Sequence, residues 1–335
     1  MHITRETLLQ AARNHVAQRV RTDHSLMTVY VVGSLLSADP LLGGTADIDL
    51  VFVHNSEPET PREVLRLSNE ITLDIAHHSQ SLYNQPRHLR LSPWVGASLC
   101  QTRILLHDTQ HWFEFTQSSV NSQFSRPDNT LSRAKQEAEA ARQAWLGLPS
   151  SPSNHVQDLL AYMKSLELAA NAIACLSGAP LTERRFLSLF PERAKAIGRP
   201  GLHSGLLGLL GAGDSAAEQI HAWLPLWLET MQAVEGLPDL PIRLHPFRRS
   251  YYAHAFVAQA SDAATAYAAI WPLMRTWTQS AACLPPSAPQ TDGWRQACAA
   301  LQLDPEHITE RLAGLDTFLD TIDEALEAWG KENGA

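Results

Sequence analysis

Asp47 and Asp49 flank Ile48 and open an apolar run from Leu50 to Val53. Side chains alternate along a strand, so Asp-Ile-Asp presents both carboxylates on one face. Carboxylates so placed repel each other, and burying them is costly unless a cation lies between them. A divalent metal is the simplest counter-charge. Upstream, the apolar run Val29 to Val32 ends in Gly33-Ser34, the pattern of a buried strand that turns sharply. A phosphate-cradling turn beside two carboxylates points to Mg²⁺ and a nucleotide. A third carboxylate follows in ITLDIAH, residues 71–77, where alternation sends Ile71, Leu73 and Ile75 one way and Thr72, Asp74 and Ala76 the other.

The surrounding chain supplies elements to position these residues. Residues 4–21 read as a helix, with Thr4 as N-cap and Leu8, Leu9, Ala12, Val16 and Val20 as its apolar stripe. Strand 28–32, the Gly33-Ser34 turn, a piece broken by Pro40 and Gly43-Gly44, and strand 48–54 follow. Thr60 to Asn69 suits a second helix, with Thr60 capping and Pro61 at its first position. Residues 86–101 look helical, and Arg103 to Leu106 form a last short strand. From about residue 112 helical periodicity takes over: 111–124, 129–147, 155–176, 183–197, 214–235, 247–281 and 305–329. Pro-rich breaks at 149–152, 237–246 and 284–289 separate them, and Pro272 is expected to kink or split the long 247–281 stretch. The fold expected is α+β: a mixed β-sheet with helices over residues 1–115, then an all-helical bundle over 116–335.

Length and composition limit the functional classes. A chain of 335 residues is long enough for two domains, each with its own core. The net charge is −9, and residues 1–120 hold nine Arg and no Lys against twelve Asp and Glu. That balance disfavours a nucleic-acid partner, which usually meets a basic face. Cys100, Cys175, Cys283 and Cys298 lie far apart without zinc spacing, as expected of reduced thiols. The first residues are charged and amphipathic rather than signal-like, and no apolar stretch approaches the roughly 20 residues of a membrane helix. A cytoplasmic protein without a membrane partner is the expectation.

Gly33-Ser34, a spacer, Asp47-x-Asp49 and the later Asp74 resemble the polymerase-β-like nucleotidyltransferase superfamily. Its pattern is Gly-Ser or Gly-Gly, a spacer, an acidic-x-acidic strand and a third acid. The motif covers residues 29–76. LAYMKSLELAANAIACLSGAPL and RRSYYAHAF…IWPLMRTW are loosely similar to the helical domain of single-chain aminoglycoside nucleotidyltransferases and their bacterial relatives. One departure is Ala46, where most relatives carry Ser. The resemblance implies a nucleotide- and metal-binding domain followed by an acceptor-side domain. Gly33 and Ser34 would hold the triphosphate of an NTP, expected to be ATP. Asp47, Asp49 and Asp74 would be the catalytic acids and the ligands of one or two Mg²⁺ ions, with Asp74 also available as general base. A basic residue of the helical domain can reach the triphosphate in relatives; the candidate here is Lys164, on a polar stripe with Gln157, Glu167 and Asn171 that reads equally well as a solvated helix face.

The reaction implied is NMP transfer to a hydroxyl of a small-molecule acceptor, with release of pyrophosphate. Two other readings remain open at this point: a toxin-like enzyme modifying RNA or protein, and a non-catalytic nucleotide-binding regulator. A homodimer also remains open. Among other residues, His107-x₃-His111 has helical metal-ligand spacing but lacks a Glu partner. His78 shares the Asp74 face if the strand extends that far. Arg248, Arg249, Tyr251 and Tyr252 start a helix that suits either the acceptor side or plain packing. Trp223, Trp227, Trp271 and Trp277 are spaced for bundle packing.

Overall fold

Thr4 caps the first helix by a reciprocal pair of bonds: its hydroxyl accepts from the Thr7 N–H at 3.2 Å, and its own N–H donates to the Thr7 hydroxyl at 2.8 Å. The computed structural model describes residues 3–109, 111–148, 155–213 and 216–335. The expected break at 149–152 and the first two residues of the expected helix 214–235 lie outside the described residues. The chain is α+β, and its internal contacts form two compact units, Met1–Asn129 and Thr130–Ala335. The division follows the helix Trp112–Phe124, which a boundary at 115/116 would cut.

The first unit runs α1 (Arg5–Thr22), β1 (Leu26–Val32), a 3₁₀ turn (Gly33–Leu36), β2 (Ala46–His54), β3 (Arg62–Arg66) and β4 (Ile71–Ser79). A 3₁₀ turn (Gln80–Tyr83), α2 (Pro86–Leu91), α3 (Val95–Gln101), β5 (Leu105–Asp108) and α4 (Trp112–Phe124) complete it. The sheet order is β3-β4-β2-β1-β5; β2 and β4 are parallel and the other pairs antiparallel. Leu8, Leu9, Ala12 and Val16 of α1 pack with Val29, Val31, Ile48, Leu50, Phe52, Leu73 and Ile75, which share one sheet face. Hydrophobic burial on that face fixes which residues turn to the other.

Two expectations fail here. Residues 60–69 hold the edge strand β3 rather than a helix. Its residues pair with the free edge of β4, and a hairpin turn closes them, with the Ser68 hydroxyl accepting from the Glu70 and Ile71 N–H groups. Non-local strand pairing overrides a local Pro-at-first-turn signal. The stretch 86–101 is two helices, because Pro93 forces Ser92 into an extended conformation that closes α2.

In the second unit the described residues form α5 (Pro127–Leu146), which starts just before it, α6 (His155–Ser177), α7 (Phe186–Ala196), α8 (Gly201–Leu210) and α9 (Ala216–Ala233). Then come α10 (Arg248–Ala260), α11 (Ile270–Ala282), α12 (Asp292–Ala300) and α13 (Ile308–Asn333). The stretch 247–281 breaks between Ser261 and Thr265 and not at Pro272, which is buried in the first turn of α11 where a missing N–H costs nothing. The helices α8 and α12 lie outside the expected helical stretches. Trp223, Trp227, Trp271 and Trp277 are core residues, as their spacing suggests. The indole N–H groups of Trp227 and Trp277 donate to the hydroxyls of Thr276 and Thr230 at 3.0 and 2.8 Å. The helix α6 corrects the expectation that no stretch is long and apolar enough to cross a membrane: by length and composition it is, with mean hydropathy 1.3. Most of it is buried within this unit, as a core helix is.

Candidate metal and phosphate site

Alternation along β2 turns Asp47 and Asp49 to the face opposite α1, while Ile48 and Leu50 join the core. The parallel register of β2 and β4 then sets Asp49 opposite Asp74 and Asp47 opposite Thr72. One carboxylate oxygen from each of the three acids lies within 4.8 Å of the others. Asp47 and Asp74 are buried and Asp49 is half-buried. Three hard oxygen donors gathered this closely could hold a divalent cation. The Thr72 hydroxyl donates to Asp47 Oδ1, which orients that carboxylate. Ala46 is fully buried and contributes no polar group.

Gly33 follows the last residue of β1, Val32, which pairs with Asp49. Its φ is +70°, and a Cβ placed there would overlap Asp49 Oδ2. Only glycine satisfies both the left-handed backbone and the close approach of the carboxylate. Ser34 is half-buried in the 3₁₀ turn, and its carbonyl accepts from the Ser37 N–H and hydroxyl at 2.9 and 2.6 Å. The Gly-Ser turn and the acidic strand are thus neighbours in space. No protein-family model matches the chain, and no curated protein does.

Arg62 is the residue that sequence reasoning missed. From the edge strand β3 its guanidinium clamps Asp74, with Nε donating to Oδ1 at 2.7 Å and Nη2 to Oδ2. The Arg62 side chain is half exposed, and that of Asp74 is nearly covered. No period-two signal marks this segment: Arg62, Val64 and Arg66 fall on one face and Glu63 and Leu65 on the other, and each face mixes charged with apolar residues, so the Thr60-Pro61 helix signal met no local rival.

Further along the acid face, β4 continues to Ser79 and brings His78 onto the Asp74 side. It is half-buried: the Tyr83 hydroxyl lies 2.6 Å from His78 Nδ1 and 2.9 Å from the Tyr30 hydroxyl. Burial holds His78 below the usual imidazole range and pushes both tyrosines above the phenol range. His107 belongs to β5, while His111 adopts φ +56° before α4 and pairs with Glu114 at 3.6 Å, so the two do not share a helix face.

Lys164 is in α6 of the second unit, 3.2 Å from Glu167. Glu167 is buried and takes two bonds from Arg275, at 2.6 and 3.2 Å. Asn171 is also buried, bonded to the N–H and carbonyl of Leu181, so the stripe is internal at Glu167 and Asn171 and exposed at Gln157 and Lys164. Lys164, Glu167, Trp271, Arg275 and Gln279 line a cavity of about 180 Å³. The other acceptor-side candidates pack within the same unit. Arg248 and Tyr252 are buried, the Tyr252 hydroxyl donates to Glu183, and Arg249 pairs with Glu235 at 2.8 Å. Tyr251 carries the Arg184 guanidinium 3.4 Å above its ring.

Proposed function

We propose that the chain is a Mg²⁺-dependent nucleotidyltransferase of the polymerase-β-like kind, moving NMP from an NTP, ATP first, to a hydroxyl of a small molecule. The observation that carries this reading is the convergence of Asp47, Asp49 and Asp74 beside the Gly33-Ser34 turn. In this reading Asp47, Asp49 and Asp74 hold the cation, and Gly33 and Ser34 bind phosphate oxygens through backbone N–H groups and the hydroxyl. When bound, Mg²⁺ supplies positive charge to the triphosphate and to the charge that develops at the α-phosphorus. The acceptor oxygen forms the new P–O bond, the bond to pyrophosphate breaks, and the hydroxyl proton leaves to a base for which Asp74 is the candidate. The acidic composition supports a small acceptor over a polyanion.

Pyrophosphate release across a panel of nucleotides and hydroxyl acceptors tests this directly. Mg²⁺-dependent release is expected, falling by about a hundredfold or more, ~3 kcal/mol of barrier, in Asp47→Asn and Asp49→Asn with the fold retained. Release that persists unchanged in both variants removes the reading.

A further inference from the structure

We propose that Arg62 is the resident counter-ion of Asp74, and that it restrains cation binding by the acid triad. The inference rests on the metal-site reading above and goes beyond it, because nothing in the acidic motif specifies a cation from the protein itself. Both oxygens of Asp74 receive bonds from one guanidinium, a side-on fork through Nε and Nη2 that fixes the carboxylate plane as well as its charge. A carboxylate oxygen has two lone pairs, so Asp74 keeps donor capacity toward Asp47 and Asp49, whose oxygens lie within 4.8 Å of its own. A divalent ion entering there meets the positive charge of Arg62 at close range.

The position of Arg62 suits this task. It sits on the edge strand, its register partner on β4 is Ala76, and its neighbour two residues on, Val64, is the one opposite Asp74. Reaching diagonally from there, the side chain is half exposed while its carboxylate partner is nearly covered. A half-exposed side chain can leave Asp74 at modest cost when a polyphosphate offers a competing set of anionic oxygens. Arg62 is therefore a positioning residue. It holds Asp74 oriented before substrate arrives and lowers the affinity of the triad for a free cation.

Mn²⁺ titration of the full chain without nucleotide, followed by electron paramagnetic resonance, reads this out apart from any activity. Arg62→Gln is expected to bind Mn²⁺ at least tenfold more tightly than the parent. Arg62→Lys, which keeps the charge, is expected to stay within threefold of the parent. Adding Asp47→Asn to Arg62→Gln should abolish the gain. If Arg62→Gln binds like the parent while Asp47→Asn abolishes binding in both, the metal site stands and the role of Arg62 is overturned. If Mn²⁺ binds none of these proteins, the metal reading falls, and this proposal with it.

Discussion

One sheet of the first unit carries two opposite environments on neighbouring residues. Leu50 and Ile75 stand next to Asp49 and Asp74 on the same paired strands, yet they pack with α1, while the two acids face the other way. The α1 face is apolar and is held by burial. The acid face gathers three carboxylates, an arginine fork and the Gly33 turn. Like-charge convergence of that kind opposes folding, so the α1 face supplies the stability that the acid face lacks. A polar exception sits within the α1 face. His54 Nε2 and His77 Nδ1 are 2.9 Å apart, and His54 Nδ1 is 2.9 Å from the Ser25 hydroxyl, which itself donates to Asp23.

The sharpest way to break the contrast is to exchange the character of adjacent positions. Ile48→Asp puts a charge in the α1 core and is expected to cost at least about 4 kcal/mol in urea unfolding. Asp49→Asn, one residue on, removes a like charge and should shift stability by no more than about 0.5 kcal/mol in chelator. Equal effects from the two would mean that the faces are not energetically distinct.

A smaller effect separates backbone strain from the acid contact. Gly33→Ala meets both a φ of +70° and Asp49, whereas Gly44→Ala meets a φ of +75° with nothing within 4 Å. Gly44→Ala should cost about 1 kcal/mol for its backbone alone, and Gly33→Ala about 2 kcal/mol or more. Thermal unfolding of the two side by side checks the difference, and matching losses would remove Asp49 from the account.

The smallest expected effect is a pH dependence from the histidine pair. Burial holds His54 and His77 below the ordinary imidazole value, against the raising influence of Asp23 and Glu63. Arg19 and, for His54, His77 itself add to the lowering, and the nearby His15 is lowered by its own burial. The folded state then binds fewer protons than the unfolded chain, so this stability is present above about pH 6.5 and is lost as pH falls through the lowered values. Melting temperature should decline between pH 7 and pH 5, and a His54→Asn, His77→Asn double variant should decline less. An equal decline in the variant places the pH sensitivity elsewhere.

Sequence reading went far with elements whose signals are local. The N-cap at Thr4, the apolar stripe of α1 and the strands holding Asp47, Asp49 and Asp74 were all legible, because caps and helix and strand periods are written in neighbouring residues. It failed where a segment's state depends on a distant partner. Arg62 to Arg66 is a strand because β4 offers it an edge. The glycines Gly201, Gly205 and Gly208 weaken the helical signal of α8, whose Leu202, Leu206, Leu209 and Leu210 nevertheless bury into the second unit's core.

By itself the sequence determined the face: a period of two puts Asp47 with Asp49, and Thr72 with Asp74, whatever surrounds them. It also marked Gly33-Ser34 as a sharp turn at the end of an apolar run, whereas the approach of Asp49 that leaves no room for a side chain at Gly33 belongs to the tertiary structure. Tertiary structure alone decided the distances. The parallel register of β2 with β4 sets Asp49 against Asp74, and the antiparallel pairing of β3 brings the Arg62 fork onto the third acid. Strand register is a long-range choice made by the buried face as a whole, so no window of sequence contains it.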